Sequence, residues 1–262
     1  MQHINELKDV NNVNLVVFDV DGVIVPRGAI VIERGNSIFL DLKFAPEKFI
    51  DLVKELLNYT NVAISSGRNM VTLKTIFSDL LGAESNGNIF LMQGENGGRL
   101  SYGVDEAGAG HDPEKMRLLA KLRKELRQIE NEDILGYEPK ESLITIHARH
   151  RIPEIEEAVI GYPHYILWNG EAYDIGQKEI TKGSGLGIVK KLLEEKSGKN
   201  TFSIAIGDRQ NDIDLLEQAN ISVSADKELL KDADYYIESS NELPGVILAE
   251  KLLKLFKETR SL

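Results

Sequence analysis

Short unbroken apolar runs alternate along this chain with longer stretches in which apolar residues recur at helical spacing. Leu15-Val16-Val17-Phe18, residues 62–64, residues 89–92 and residues 202–206 each read as a fully buried strand. Between them, Phe49, Ile50, Val53, Leu56 and Leu57 form a helical stripe behind Pro46, which suits a first helical turn. Leu73, Ile76, Phe77, Leu80 and Leu81 form a second stripe, closed by Gly82. Two short apolar stretches, residues 29–32 and 37–40 around Arg34-Gly35-Asn36, predict a β-hairpin. Towards the end the pattern predicts a helix over 185–196, a strand over 202–206, a helix over 212–219 and a strand over 221–223. A short helix over 227–231, a strand over 235–237 and a terminal helix from Pro244 complete it. Such alternation predicts the α/β class, with a doubly wound parallel sheet.

The middle of the chain breaks this rhythm. Residues 112–130 are dense in Lys, Arg and Glu around the apolar stripe Met116, Leu119, Leu122 and Leu126, which predicts a half-exposed helix. Strand-like pieces at 143–148, 165–168 and 172–175 follow, with a helix over 152–160 and a turn at Asn169-Gly170. Residues 1–98 and 177–262 are therefore expected to form one core, with 99–176 an inserted α+β unit. Gly97, Gly98 and Gly176 at its borders are candidate hinge positions.

Four acids sit where two buried strands end: Asp19 and Asp21 in FDVDGV, then Asp208 and Asp212 in IGDRQNDID. In open α/β sheets ligands bind beyond the carboxyl ends of strands, so the two pairs are expected to converge. Asp and Gly also mark ordinary turns, but acids crowded from two separate motifs repel unless a cation lies among them. Oxygen ligands with room for water and phosphate suit Mg²⁺ better than Zn²⁺, which favours Cys and His.

Asp19-Val20-Asp21-Gly22-Val23, Ile64-Ser65-Ser66-Gly67-Arg68, Lys182 in ITKGSGLG and Gly207-Asp208-Arg209-Gln210-Asn211-Asp212 together resemble the four ordered motifs of the haloacid dehalogenase superfamily. They cover nearly the whole chain and are most similar to the branch with a large α/β cap. Gln93-Gly94-Glu95-Asn96-Gly97-Gly98 resembles a loop of that branch, while Val23 stands where the commonest family form has Thr. The resemblance implies a Mg²⁺-dependent phosphatase of a small phosphorylated metabolite, sugar phosphate or phosphoglycolate-like, working through an aspartyl-phosphate. Asp19 is then the nucleophile and Asp21 the general acid and base, which in the family also gives the metal its backbone carbonyl. Asp208 and Asp212 complete the metal set, with Asp212 either a ligand or an acceptor that orients metal-bound water. Ser66, with Ser65 as the alternative register, donates to phosphate, and Lys182 balances its charge. Arg68, Asn96 and Asn211 are expected to touch substrate. A phosphomutase of hexose phosphates, or a regulatory protein that kept the fold, shares the same motifs.

Composition narrows partners. Lys and Arg number 31 against 42 Asp and Glu, a net charge of -11, which disfavours nucleic acid. There is no cysteine, which removes disulfides, thiolate catalysis and cysteine-bound zinc and points to a reducing cytoplasm. The polar first 14 residues predict no secretory signal, and no stretch reaches the ~18 apolar residues of a membrane span. Self-association into a homodimer is left open. His147 and His150 are expected to be surface or partly buried histidines of the inserted unit, and Trp168 part of its core.

Overall fold

The computed structural model describes the chain apart from residues 29, 30, 104, 228–230, 239, 240, 261 and 262. Leu15–Asp19 runs through the centre because all five of its residues are buried and alternate side chains serve two cores. Val16 and Phe18 join a cluster with the apolar stripes of helices Glu47–Leu56, Met70–Ile76 and Pro244–Arg260. Leu15 and Val17 join another with Leu186, Val189 and Leu193 of helix Lys182–Ser197 and with Leu215 and Leu216 of helix Ile213–Gln218. Helices on both faces are what an unbroken apolar strand requires.

Strand order across the large sheet is Gln2–His3, Tyr235–Tyr236, Ile221–Ser224, Ser203–Gly207, Leu15–Asp19, Asn61–Ser65 and Asn88–Gly94, all parallel. The hairpin Arg99–Tyr102 and Asp105–Gly108 extends this sheet antiparallel at one edge. Phe18 pairs with Ile206 on one side and Ile64 on the other, and Asp19 with Ser65, so three motifs leave the sheet at the same end. The α/β doubly wound parallel sheet is thus present.

A second, four-stranded antiparallel sheet has the order Ile134–Glu138, Leu143–Ala148, Ala172–Gln177, His164–Trp168. Helices Pro113–Leu126 and Pro153–Val159 cover one face, where Leu119, Leu122, Ile144, Ile146, Ile155, Tyr173 and Ile175 pack. Trp168 lies against that core with its ring 4.7 Å from Tyr173. The other face, carrying Thr145, His147 and Asp174, looks towards the acid end of the large sheet.

Several expectations change. Residues 99–102 and 105–108, placed with the inserted unit, hydrogen-bond into the large sheet; a single apolar side chain, Leu100, packs on its core, too little to read as a pattern. Strand Ile134–Glu138 went unread; its Gly136 allows the backbone of Glu33 to approach, where a Cβ would lie 2.7 Å from Glu33 N. Glu33 belongs to the expected hairpin, which forms as Val31–Arg34 and Ser37–Leu40. Gly176 lies inside a strand between Leu143 and Tyr165, so it is a packing position and not a joint. Residues 228–230 of the expected helix over 227–231 and residues 29–30 of the first hairpin strand lie outside the described residues. Among the described residues no helix is long and apolar enough to cross a membrane.

Phe49 packs edge-on against Phe18 at 5.2 Å between ring centroids, fully buried under the strand that carries Asp19. Phe49→Ala is expected to lower stability by about 3–5 kcal/mol, read as the shift in a urea unfolding midpoint.

Candidate active site

Asp19 is the last residue of its strand, and the chain turns at once. Val23, Ile24 and Val25 all donate backbone N–H groups to the Val20 carbonyl, at 3.3, 2.8 and 3.0 Å, while Gly22 N donates to Val25 O at 2.8 Å. Gly22 has φ +85°, and a Cβ there would lie 2.1 Å from Asp208 Oδ2. Only glycine lets the two acidic loops close on each other. Asp208 follows strand Ser203–Gly207, and the tight turn Gln210–Asp212 carries Asp212 back beneath it. Asp212 Oδ2 accepts the backbone N–H groups of Asp208 and Arg209, both at 3.0 Å. Asp19, Asp208 and Asp212 are all buried, and each offers a carboxylate oxygen within 4.8 Å of the others.

One ammonium serves two of these acids. Lys182 is the first residue of its helix, held there by the capping box of Thr181 and Ser184 and by Gln93 Nε2, which donates to Lys182 O at 2.8 Å. Its Nζ donates to Asp19 Oδ1 and Asp212 Oδ1, each at 2.6 Å. Asp208 is gripped by Arg27, through Nε at 2.9 Å and a second, shorter contact from Nη2. Three carboxylates thus face two cations. Burial and then Asp212 push the Asp19 carboxyl up against the pull of Lys182, while Lys182 itself, despite burial, is held above the ordinary lysine range by Asp19 and Asp212. Burial likewise raises Asp208, opposed by Arg27. The cluster is one positive charge short.

Around it lies a cavity lined by Asp19, Asp21, Arg27, Ser66, Arg68 and Lys182, and by Arg209 and Asn211. Asp21 is held by Arg68 through two bonds of 2.9 and 2.6 Å. Arg68 is therefore engaged with the acid instead of standing free. Ser66 reaches the cavity, whereas the Ser65 hydroxyl is buried in its strand without a hydrogen-bond partner. Asn96 does not line the cavity: at φ +51° its amide turns behind Gly67, 3.4 Å from both Asp174 and Tyr165. His147 is buried and lines the cavity, contrary to expectation, while His150 is exposed.

The opposite wall comes from the second sheet: Glu138, Lys140, Thr145, His147, Glu171 and Asp174. Sequence reasoning missed this set and Arg27. A signal for part of it exists: Thr145 and His147 alternate with Ile144, Ile146 and Ala148, which gives the strand one polar face. Arg27 carries no such signal, being a single cation in a loop.

The family described as haloacid dehalogenase-like hydrolase matches residues 7–249. This chain belongs to that family. The resemblance and the fold class are borne out with it, and the family is one of hydrolases, as the expected type of enzyme requires. A glucosyl-3-phosphoglycerate/mannosyl-3-phosphoglycerate phosphatase of Persephonella marina is 33% identical over 99 residues, 38% of this chain and 35% of that protein. A phosphoglycolate phosphatase of Archaeoglobus fulgidus is 28% identical over 169 residues, 62% of this chain and 72% of that one. The match thus spans about a third of the first relative. The C-terminal domain of a C. albicans trehalose-6-phosphate phosphatase shares the fold, with a TM-score of 0.63, 16% identity, and coverage of 94% of this chain and 92% of that one.

In this haloacid dehalogenase-like hydrolase the donor set of Asp19, Asp208 and Asp212 is all carboxylate, buried and short of positive charge, which fits a hard divalent cation. A carboxyl whose pKa is raised on folding binds its proton more tightly in the folded state. Stability then falls as pH rises from the unfolded carboxyl value, about 4, through the folded one. In chelator, the parent is expected to lose melting temperature from pH 4 towards neutrality more steeply than Asp19→Asn, as scanning calorimetry of both would show. Parallel curves would contradict the raised Asp19 carboxyl.

Proposed function

We propose that this hydrolase is a Mg²⁺-dependent phosphatase that cleaves a small phosphorylated metabolite through an aspartyl-phosphate on Asp19. The observation that carries this reading is the convergence of Asp19, Asp208 and Asp212, two of them on Lys182 and the third on Arg27, beside a cavity that Asp21 and Ser66 also line. Two curated relatives, named for phosphatase activity on phosphoglycolate and on glycosyl-3-phosphoglycerates, support the reaction class.

Asp19 attacks phosphorus, the ester P–O bond breaks, and Asp21 gives its proton to the departing alkoxide. A water then attacks the aspartyl-phosphate, Asp21 takes the proton, and Asp19 is regained as inorganic phosphate leaves. Asp19, Asp208 and Asp212, with the main-chain carbonyl of Asp21, would hold Mg²⁺, whose chemistry is to neutralise charge on the phosphoryl oxygens. Lys182 adds a fixed positive charge, and the Ser66 hydroxyl donates to a phosphoryl oxygen. Arg68 enters through exchange: an arriving phosphate dianion offers its guanidinium a second partner, and Asp21, released from its two bonds, becomes free to move a proton. Asn211 lines the same cavity and in this reading donates to the same phosphate.

The smaller sheet and its two helices act in this reading as a cap over the cavity. Its boundary lies beyond Gly108 and not at Arg99, since the intervening hairpin belongs to the large sheet.

Asp19→Asn should reduce phosphate release by a factor on the order of 10⁴–10⁶ while the circular dichroism spectrum stays that of the parent. Substantial turnover by the folded variant would sink the covalent mechanism. Activity should also vanish in EDTA, return with Mg²⁺ and fail to return with Ca²⁺, whose longer bonds and higher coordination disturb in-line alignment. Full turnover in EDTA would exclude a metal role for the acid cluster.

A further inference from the structure

The cavity is electrically polarised. On the large-sheet side Arg27, Arg68, Lys182 and Arg209 stand against Asp19 and Asp21 and, just behind them, Asp208 and Asp212, so the charges there balance. On the cap side Glu138, Glu171 and Asp174 face it against Lys140 alone. A phosphate has its place on the first side, so the second side meets whatever carries the phosphate.

Lys140 is already engaged within the wall. Its Nζ donates to Thr145 Oγ1 at 2.6 Å and forms ion pairs with Glu138 at 3.1 Å and Asp174 at 3.8 Å, so its charge is matched by two carboxylates. The Thr145 hydroxyl in turn donates a hydrogen bond to Asp174. Although burial works against it, the Lys140 ammonium, with His147 beside it, holds the Glu138 carboxyl down to about 2. His147, only 8% exposed, lines the same wall with its Nε2 lacking a hydrogen-bond partner; the nearest carboxylate oxygen, on Glu138, is 3.5 Å away. Beyond that loose contact with Glu138, the buried ring nitrogen is open to a hydrogen bond from the cavity.

Resting on the phosphatase reading above, we propose that the leaving group is neutral and hydroxyl-rich, a sugar or polyol, and that Glu138, Asp174 and His147 select it against leaving groups that carry a carboxylate. Hydroxyl groups donate to ionised carboxylates in charge-assisted bonds and can satisfy the imidazole nitrogen in either tautomer. A carboxylate in the same position meets three like charges in a partly desolvated space and finds the one cation taken. A site built to bond hydroxyls also leaves its buried polar groups unpaired when a poorer donor occupies it. Phosphoglycolate, whose leaving group is short and anionic, is thus a poor match for this wall.

The test compares kcat/KM with Mg²⁺ for glycerol phosphate and hexose 6-phosphates against phosphoglycolate and 3-phosphoglycerate, with p-nitrophenyl phosphate as a reference ester. The neutral leaving groups should be favoured about tenfold or more. Glu138→Gln and Asp174→Asn should lower that preference several-fold by gaining on the carboxylated esters. Glu171→Gln, at an exposed rim position, should do so to a smaller degree and keeps the comparison open if a buried variant fails to fold. A parent that turns over the reference ester yet prefers phosphoglycolate or 3-phosphoglycerate would overturn the proposal, as would a preference unmoved in every folded variant. No turnover of any ester, the reference included, would overturn the phosphatase reading and this inference with it.

Discussion

Three carboxylates crowd into a buried space around one lysine that bonds two of them, and the surrounding structure answers that crowding. Taking such charges out of water costs several kcal/mol each unless partners are placed in advance. The parallel register of Leu15–Asp19 with its neighbours delivers Asp19, Ser66 and Asp208 to one edge. The capped helix start and the Gln93 amide then set Lys182 where its Nζ lies 2.6 Å from both Asp19 and Asp212. Arg27 and Arg68 hold the two remaining acids, Asp208 and Asp21. What this arrangement leaves uncompensated is a negative charge, which fits a hard divalent cation.

The loop Gln93 to Gly98 links this cluster to the smaller sheet. Gln93 reaches Lys182, while the buried Glu95 accepts backbone N–H groups of Glu141 and Ser142 at 3.1 and 2.6 Å and the Ser142 hydroxyl at 2.6 Å. Asn96 turns towards Asp174 and Tyr165. Gly97, with φ +96°, brings the loop so near Thr181 that a Cβ would lie 2.2 Å from its carbonyl oxygen. From the other side Glu33 accepts Tyr137 N at 3.2 Å and pairs with Arg127 at 3.0 Å, and Asn69 donates to Glu138 and to Pro139 O. These polar contacts, more than glycine positions, tie the smaller sheet to the large one.

The same contacts account for how the cavity is shared between two units of different character. The large sheet contributes groups at strand ends, where backbone geometry converges them. The smaller sheet contributes one whole face, where side chains two residues apart stand side by side. The first design suits a reaction centre, since position follows from register. The second suits recognition, since the face can change residue by residue without disturbing the apolar side that packs on its helices.

Asp19, Asp208, Asp212 and Lys182 were legible in the sequence because each follows from local facts: an unbroken apolar run sets a buried strand, its end sets a loop, and acids or a lysine there have few other uses. The hairpin of residues 31–40 and the helical stripes were legible for the same reason. Arg27 and Arg68 were not, in the sense that matters, because their partners lie 181 and 47 residues away and no periodicity records which carboxylate an arginine will meet. Asn96 was misread because a positive φ, invisible in composition, turns its amide away from the cavity. His147 was misread because its distance from His150 says nothing of its place beside Thr145 on a polar strand face that only the packing of one sheet over another turns into a wall. Local sequence determined which groups can do chemistry, and the tertiary structure decided which of them meet, since meeting depends on the relative placement of elements that no single segment encodes.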